Sequence, residues 1–500
     1  MTGADEQLSS APPTGTETGR AASDSVWLVG SRIVVAGFGW VCSIITARSL
    51  DAVAWGEFSF VFALLGLMAI VTDLGVGRAV LGRLMTGDHA RLGELATAFI
   101  ALRVLLGVLG YGVAVVYTVL TAQDPHVVWA TVVAGAVILL ATPSHAMVVL
   151  YQSRLRMRRV AIGDILSQFA QLAVVVLVAL TGGDLLWFVV PAVVNEIVNI
   201  CWRARGIARG ELGFRPTPPV RPALWGEMLR ESVPLTIGFA LTLLLTKVDM
   251  LMLERLDGAV AVGEYAVAYK FADVLSLAAI TAMQPVTTLL VAAWPDDPRV
   301  FRSRFTEATS VLSLVAGLGV VVFVPVAGPV VTLLYGGQFG PSVTPSRILF
   351  VAAAGTALTQ LAIQTLIAAD HKKVFPTLAA GGLLLNVLLN LYAIPRWSTL
   401  GSAVATVITE LVMVVAFWIA VHRSLGWPVV TGAGRPVAVA LVTAAVTAPA
   451  VLVVDRLPVW AWPLVLVVVT TLYVVLVVVL RLADPRIVGA LASRLGRRGR

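Results

Sequence analysis

Charge is scarce in this chain. Only 13% of its 500 residues are Asp, Glu, Lys or Arg, against roughly a quarter in soluble domains, and a solvated globular surface cannot be built from so few. Lysine is rarer still, four against 32 arginines. There are two cysteines, Cys42 and Cys201. Both sit in apolar segments, which excludes a disulfide framework and a thiolate metal site. The five histidines show no metal-ligand spacing, and the chain has no phosphate-binding glycine loop, no HExxH and no GxSxG. An ATP-driven pump is therefore excluded within this chain, and no catalytic residue, metal or cofactor is expected.

What is abundant is apolar. Hydrophobic residues make up 58% of the chain and its mean hydropathy is +0.92, the composition of a polytopic, all-α membrane protein. The net charge of +8 and isoelectric point near 9.9 would suggest nucleic acid in a soluble chain, but here the basic residues fall in short loops. No nucleic-acid partner is expected.

Runs of about 20 apolar residues, the length that crosses a bilayer, predict fourteen spans. Residues 1–26 read as a disordered tail, too poor in basic residues to be a signal peptide. An N-lobe of six spans over 27–203 follows, near 27–47, 55–77, 95–120, 127–150, 160–181 and 185–202. Residues 204–230, rich in Arg and Pro, form an inter-lobe linker. A C-lobe of six spans over 231–423 has its runs near 231–253, 262–292, 306–334, 345–369, 374–394 and 399–421. Two further spans occupy 436–482, and 483–500 is a basic tail. With both termini inside, 27 Lys and Arg fall in cytoplasmic loops and tails and five outside, as the positive-inside rule requires.

The two halves echo each other. Asp24-Ser25-Val26 recurs as Glu231-Ser232-Val233, and Leu50-Asp51 leading to Gly56-Glu57-Phe58 recurs as Leu256-Asp257 leading to Gly263-Glu264-Tyr265. The shift is close to the spacing of the two lobes, so the chain reads as a duplication, with the lobes related by a pseudo-two-fold axis along the membrane normal.

Ionisable side chains within spans cost at least a few kcal/mol unless they meet water or a partner. Arg103, Glu196, Lys270, Asp273 and Glu410 lie at mid-membrane depth by the helix rise of about 1.5 Å per residue. Lys247 and Asp249 fall in the outer third. Arg32, Asp73 and Asp164 lie within reach of the inner edge. Each cation has a bland reading beside the functional one: Lys270 and Asp273, three apart on one helix, are spaced to neutralise each other, and Asp73 is placed to cap its helix or pair with Arg78. Each acid has one too, a salt bridge holding a lobe together.

The stretches ARSLDAVAWGEFSFVFALLGLMAIVTDLGVGRAVL, ESVPLTIGF, KVDMLML, VGEYAVAYKFAD and NVLLNLYAIPRWSTLGSAVATVITE, in that order over residues 25–425, resemble the bacterial oligosaccharide-lipid flippases of polysaccharide biosynthesis. These are the Wzx-type members of the multidrug/oligosaccharidyl-lipid/polysaccharide superfamily. The resemblance implies two facing lobes around a central cavity and export of a polyprenyl-diphosphate-linked glycan from the cytoplasmic to the outer leaflet. It places the protein in a bacterial inner membrane, among membrane lipids, with glycosyltransferases and a polysaccharide polymerase as partners. Fourteen spans rather than twelve also resemble the peptidoglycan-precursor flippases.

A diphosphate in a low-dielectric interior needs cations. Arg32, Arg103, Lys247 and Lys270 are the substrate-binding candidates, with Arg103 and Lys270 expected to share one central space. Glu196, Asp249, Asp273 and Glu410 are candidates for binding a coupling proton or sodium ion. A multidrug or cation antiporter of the same superfamily would hold its ligand with acids instead. A membrane glycan polymerase or glycosyltransferase would need a large polar loop, whereas every outer connection here is about ten residues or shorter.

Overall fold

The computed structural model describes residues 15–86, 89–121, 123–371, 373–429, 432–454, 456–458 and 461–482. Among them the regular structure is helical, with no strand, as a bilayer demands when every backbone polar group must be paired within its own segment. Among the described residues ten stretches are long and apolar enough to cross a membrane. One of these, α13 (Val374–Ser424), is 51 residues long and contains two passes.

The fourteen spans appear as α1 (Gly15–Ser49), α2 (Ala52–Asp73), α4 (His89–Leu120), α5 (Pro125–Ser153), α6 (Met157–Thr181), α7 (Leu185–Ala208), α8 (Ala223–Leu256), α9 (Ala259–Val291), α10 (Pro298–Phe323), α12 (Val343–Ala368), the two limbs of α13, α14 (Gly434–Val454) and α15 (Trp462–Val479). The limbs of α13 reverse at Ser398, whose φ of 53° and ψ of −136° break the helix.

Several boundaries differ from expectation. Residues 15–26, expected to be disordered, extend α1: once an apolar segment is helical, each added residue gains a hydrogen bond without a new nucleus. The same propagation shortens the irregular linker to 209–222, since α7 continues to Ala208 and α8 starts at Ala223. A short helix, α3 (Val76–Thr86), follows α2 after a left-handed turn at Leu74 and Gly75. The run near 306–334 divides at Val324–Val326 into α10 and α11 (Ala327–Tyr335), where Pro325 cannot continue the ladder. The expected tails at 1–14 and 483–500 lie outside the described residues.

The halves are built alike. In each, the first span packs on the fifth, the second on the third and fourth, and the fourth on the sixth: α1 on α6, α2 on α4 and α5, and α5 on α7, repeated as α8 on the first limb of α13, α9 on α10 and α12, and α12 on α13. The α14–α15 hairpin attaches to the C-lobe through α10.

The lobes meet chiefly through α2 and α9, and the residues that seal this contact are the repeated ones. Gly56 abuts the backbone of Ala259, and a Cβ on Gly263 would lie 3.1 Å from the Ala52 carbonyl oxygen, so both glycines permit close approach. Trp55 Nε1 donates to the Gly263 carbonyl at 3.0 Å. Around this seal, Arg48 donates to the carbonyls of Leu334 and Leu333 at 2.8 and 2.6 Å, and Gln338 Nε2 donates to Ala47 and Leu50.

Away from the seal the α2 and α9 faces part, and contact between the lobes passes to the first turns of α8, where Glu227 meets Arg83 at 3.1 Å and Trp225 Nε1 donates to the Ala98 carbonyl at 2.9 Å. Along the cavity-facing stripe of α9, Ala266 is buried, Tyr269 and Lys270 are half-buried, and Asp273 and Leu277 are exposed. On α2, Trp55 and Ser59 are buried and Asp73 is exposed. The α2–α9 seam is therefore shut at the Gly56–Gly263 end and open toward the end that carries the linker.

Candidate functional site: the inter-lobe cavity

Just inside the seal lies a cavity of about 330 Å³ lined by α1, α2, α6, α7, α8 and α9. The N-lobe contributes a mixed wall, in which Cys42, Ser43, Thr46, Ser59 and Gln171 stand beside the rings of Trp55, Phe58, Phe62 and Phe188. All the charge comes from the C-lobe: Lys247 from α8, and Lys270 and Asp273 from α9. The site therefore carries two cations and one acid. Lys247 Nζ sits 5.7 Å from the centroid of the Tyr269 ring, a cation–π distance, and lies within electrostatic reach of Lys270. Among the described residues no ion pair within 4.0 Å joins Lys270 to Asp273, so both ammonium groups keep donors for a ligand.

Asp249 does not face the cavity. It is fully buried, where it accepts hydrogen bonds from Tyr265 at 2.7 Å and Tyr269 at 3.0 Å and from the Met250 amide at 2.9 Å. Tyr265 also meets Thr406 Oγ1 at 3.1 Å. Asp249 thus ties α8 to α9 and fixes the Tyr269 ring beneath Lys247. Asp249→Ala removes the acceptor that Tyr265 and Tyr269 share, leaving Tyr265 with Thr406 and Tyr269 with the cavity, at about 0.5–1.5 kcal/mol for each hydrogen bond lost. A lower thermal midpoint in detergent is the expected result, read by fluorescence-detected size-exclusion after heating.

Arg103 is not brought to the cavity, and the expectation that it shares a space with Lys270 does not hold. It is 5% exposed, and its Nη1 donates to Asp73 Oδ1 and to the Thr72 carbonyl, both at 2.6 Å. Thr72 is in the last turn of α2, where carbonyls lack intrahelical donors. A guanidinium from α4 supplies one, and its charge complements the negative helix end. Asp73 therefore pairs with Arg103. Arg103→Ala is expected to cost about 1.5–3 kcal/mol, the worth of hydrogen bonds to charged groups, with Arg103→Lys recovering part of it; matched thermal melts of the three proteins check this.

The remaining candidates lie apart from the cavity. Arg32 is exposed on the open side of α1, within electrostatic reach of Asp164. Asp164 instead binds Arg203, the last residue of the N-lobe, to which the sequence assigns no role: it is 4% exposed, with Nη2 2.5 Å from Asp164 Oδ1 and Nη1 2.5 Å from Ser144 Oγ. Glu196 on α7 and Glu410 on the second limb of α13 are each half-buried, one per lobe. Sequence reading also missed the amides beside Glu196. Asn195 donates to Gln168 and Gln171 at 3.3 and 3.0 Å, and Asn199 donates to Asn195 at 3.2 Å. The signal was the four-residue spacing of Asn195, Asn199 and Arg203, which puts them on one helix face.

A family model described as "Polysaccharide biosynthesis protein" matches residues 21–288, more than half of the chain. The chain belongs to this family. A search of curated proteins finds no match. Solved structures similar to this polysaccharide biosynthesis protein include the lipid II flippase MurJ in an inward closed conformation, at 13% identity and a TM-score of 0.70 over 90% of this chain and 98% of that one. A multidrug resistance MATE family transporter of the MOP superfamily in an inward-facing conformation is 14% identical, with a TM-score of 0.67 over 78% of this chain and 94% of that one. A MOP superfamily transporter from Pyrococcus furiosus, described as having a binding pocket of reverse polarity, is 15% identical, with a TM-score of 0.61 over 81% of this chain and 95% of that one. At such identities the likeness is one of fold. The chain is thus a multi-pass membrane protein of the polysaccharide biosynthesis family with the MOP-superfamily fold.

Proposed function

We propose that this protein is a flippase that moves a polyprenyl-diphosphate-linked oligosaccharide from the cytoplasmic to the outer leaflet by alternating access, for cell-surface polysaccharide biosynthesis. The observation that carries the reading is the pair Lys247 and Lys270 on one inter-lobe cavity, opposed by a single acid. Two ammonium groups without carboxylate partners suit an anion such as a diphosphate, and the hydroxyls and amide of the facing wall suit sugar. A drug antiporter would reverse that balance. The reversed pocket polarity described for the Pyrococcus furiosus relative shows that this fold can carry such a change.

The lipid tail needs an apolar path. An apolar groove of about 390 Å³ runs between α10, α12, the second limb of α13 and α14, with Leu358, Val414 and Val437 among its walls. It supports a route in which the glycan crosses through the cavity while the chain stays against α14. Coverage of 90% of this chain by the lipid II flippase, against 78% by the MATE transporter, keeps a peptidoglycan lipid precursor as the second reading for substrate. Glycosyltransferases supply the substrate and a polymerase consumes it.

In this proposal the membrane is the bacterial inner membrane, both termini are cytoplasmic and the open end of the cavity faces the cytoplasm. A cysteine placed at residue 490, with Cys42 and Cys201 replaced by Ser, is expected to react with an impermeant maleimide only after the cells are permeabilised; labelling in intact cells would reverse the orientation. The function itself is tested in proteoliposomes with fluorescent polyprenyl-diphosphate glycans. Protection of one leaflet's label should be lost only when the protein is present, and failure with every such lipid would sink the assignment.

A further inference from the structure

The sixth spans of the two lobes share a feature that the sequence repeat near Gly56 and Gly263 does not reveal. Glu196 is the twelfth residue of α7, which starts at Leu185. Glu410 is the twelfth residue after the break at Ser398. Both helices run from the sealed side toward the open side, so both carboxyls sit about 17 Å in from the sealed end by the helix rise. The neighbours correspond as well. Asn195 precedes one and bonds to Gln171 of the fifth span; Thr409 precedes the other and accepts from Asn386 of its own fifth span at 3.4 Å.

Each carboxyl also keeps one buried oxygen without a partner. Oε2 of Glu196 and Oε2 of Glu410 are buried with no hydrogen-bond partner, and neither residue forms an ion pair among the described residues. The charged groups facing Glu196 are Arg203 on its own helix and Asp164 on α6, with His145 of α5 beside Arg203 and Arg32 of α1 beside Asp164. Arg203 is already bound to Asp164 and Ser144. Among the described residues Glu410 faces the hydroxyls of Thr356 and Thr359 from α12, while α8 and α9 present Asp249 and Tyr265 to the adjacent turn at Thr406.

A bare carboxylate in that setting is costly, and a bound cation removes the cost. A metal ion needs several oxygens held toward it; among the described residues one further unpartnered oxygen accompanies each carboxyl, Asn199 Oδ1 on the helix of Glu196 and Thr359 Oγ1 facing Glu410, while the unpartnered Ser402 Oγ is two turns from Glu410 along its helix and Asn390 Oδ1 is on the other limb of α13. A proton needs one.

We propose that Glu196 and Glu410 are a pseudo-symmetric pair of proton-binding sites, one in each lobe. The inference rests on the transport reading above for its purpose, though not for its geometry. Polar groups lead to the cavity from the residue or turn next to each carboxyl. From Glu196 the path is Asn195 and Gln171, which lines the cavity. From Glu410 it is Thr406, one turn away, then Tyr265, Asp249 and Tyr269, the last on the cavity wall. Protonation of one carboxyl per lobe lets each helix bundle repack without carrying a net charge through the apolar seal.

The test is an infrared measurement on the purified protein in detergent, which requires no substrate. A carbonyl band from protonated carboxyl groups, which exposed carboxylates do not give at neutral pH, is expected in the wild type. Glu196→Gln and Glu410→Gln should each remove one of two equal contributions, the double variant should remove both, and Glu227→Gln, at an exposed ion pair, should change nothing. Glu196→Asp and Glu410→Asp keep a carboxyl and should shift the band rather than delete it, which preserves the test if a Gln variant misfolds. A band that survives the double variant or ignores the Asp variants overturns the proposal. So does a band that vanishes on adding sodium at constant pH, which would make these metal-cation sites. A wild type that shows the band but flips no polyprenyl-diphosphate lipid would refute the transport reading alone and leave the two proton sites standing.

Discussion

Lys247→Ala and Lys270→Ala are each expected to lower flipping at least tenfold while leaving expression and membrane insertion unchanged. The lysines contribute little to packing: both are half-buried on the cavity wall, and among the described residues neither has an ion-pair partner to strand. What they hold is the ligand. A charge-assisted hydrogen bond in a shielded site is worth about 1.5–3 kcal/mol, and every 1.4 kcal/mol is about tenfold in affinity. Lys270→Arg should retain activity, since a guanidinium still serves a phosphate. Asp273→Asn should be the mildest change, as it leaves both cations in place. Transport by both alanine variants at the wild-type rate, at equal protein per vesicle, would mean that the anion is held elsewhere.

Lys247 and Lys270 were legible because an ammonium in an apolar run is costly wherever it points. Arg103 was equally conspicuous and its role was not legible. Position along a span gives depth, but not the direction of the side chain or the partner that meets it, and the partner is 30 residues away at the end of α2. Asp249 shows the same limit: a carboxylate two residues from Lys247 looks like cavity chemistry until two tyrosines from α9 enclose it. Amides and hydroxyls fare worse. Asn195, Gln171 and Asn386 interrupt an apolar run far less sharply than a charge, so a network that crosses between helices is visible only as four-residue spacing. The spans themselves were readable because the bilayer fixes their length. Their ends were not, since a helix stops at caps and prolines rather than where hydropathy falls. The duplication was readable at Gly56 and Gly263, where backbone contact restricts the residue, and hidden at Glu196 and Glu410, where loops of different length shift the register.

Gly56→Leu is expected to bias the protein toward its other state, open at the end where α2 and α9 now touch. The space that a side chain at residue 56 would need is occupied by the backbone of Ala259. Backbone cannot turn aside as a side chain can, so the helices must separate. Overpacking of this kind costs about 1–3 kcal/mol, and because that cost falls on the sealed state alone, it shifts the balance between states about 5- to 150-fold. Cys42 reports the shift: it lies on the cavity wall just inside the seal and is 4% exposed. With Cys201 replaced by Ser, an impermeant maleimide applied from the sealed side should label Cys42 slowly in the Gly56 protein and at least several-fold faster in Gly56→Leu. The repeat supplies a matched second trial, because Gly263→Leu meets the Ala52 carbonyl and the Gly56 amide, each 3.1 Å from its Cβ, and should act in the same direction. Equal labelling of all three proteins would show that the lobes do not part along this seam. Faster labelling in both variants would place the moving contact at the two glycines that the chain carries as a repeat.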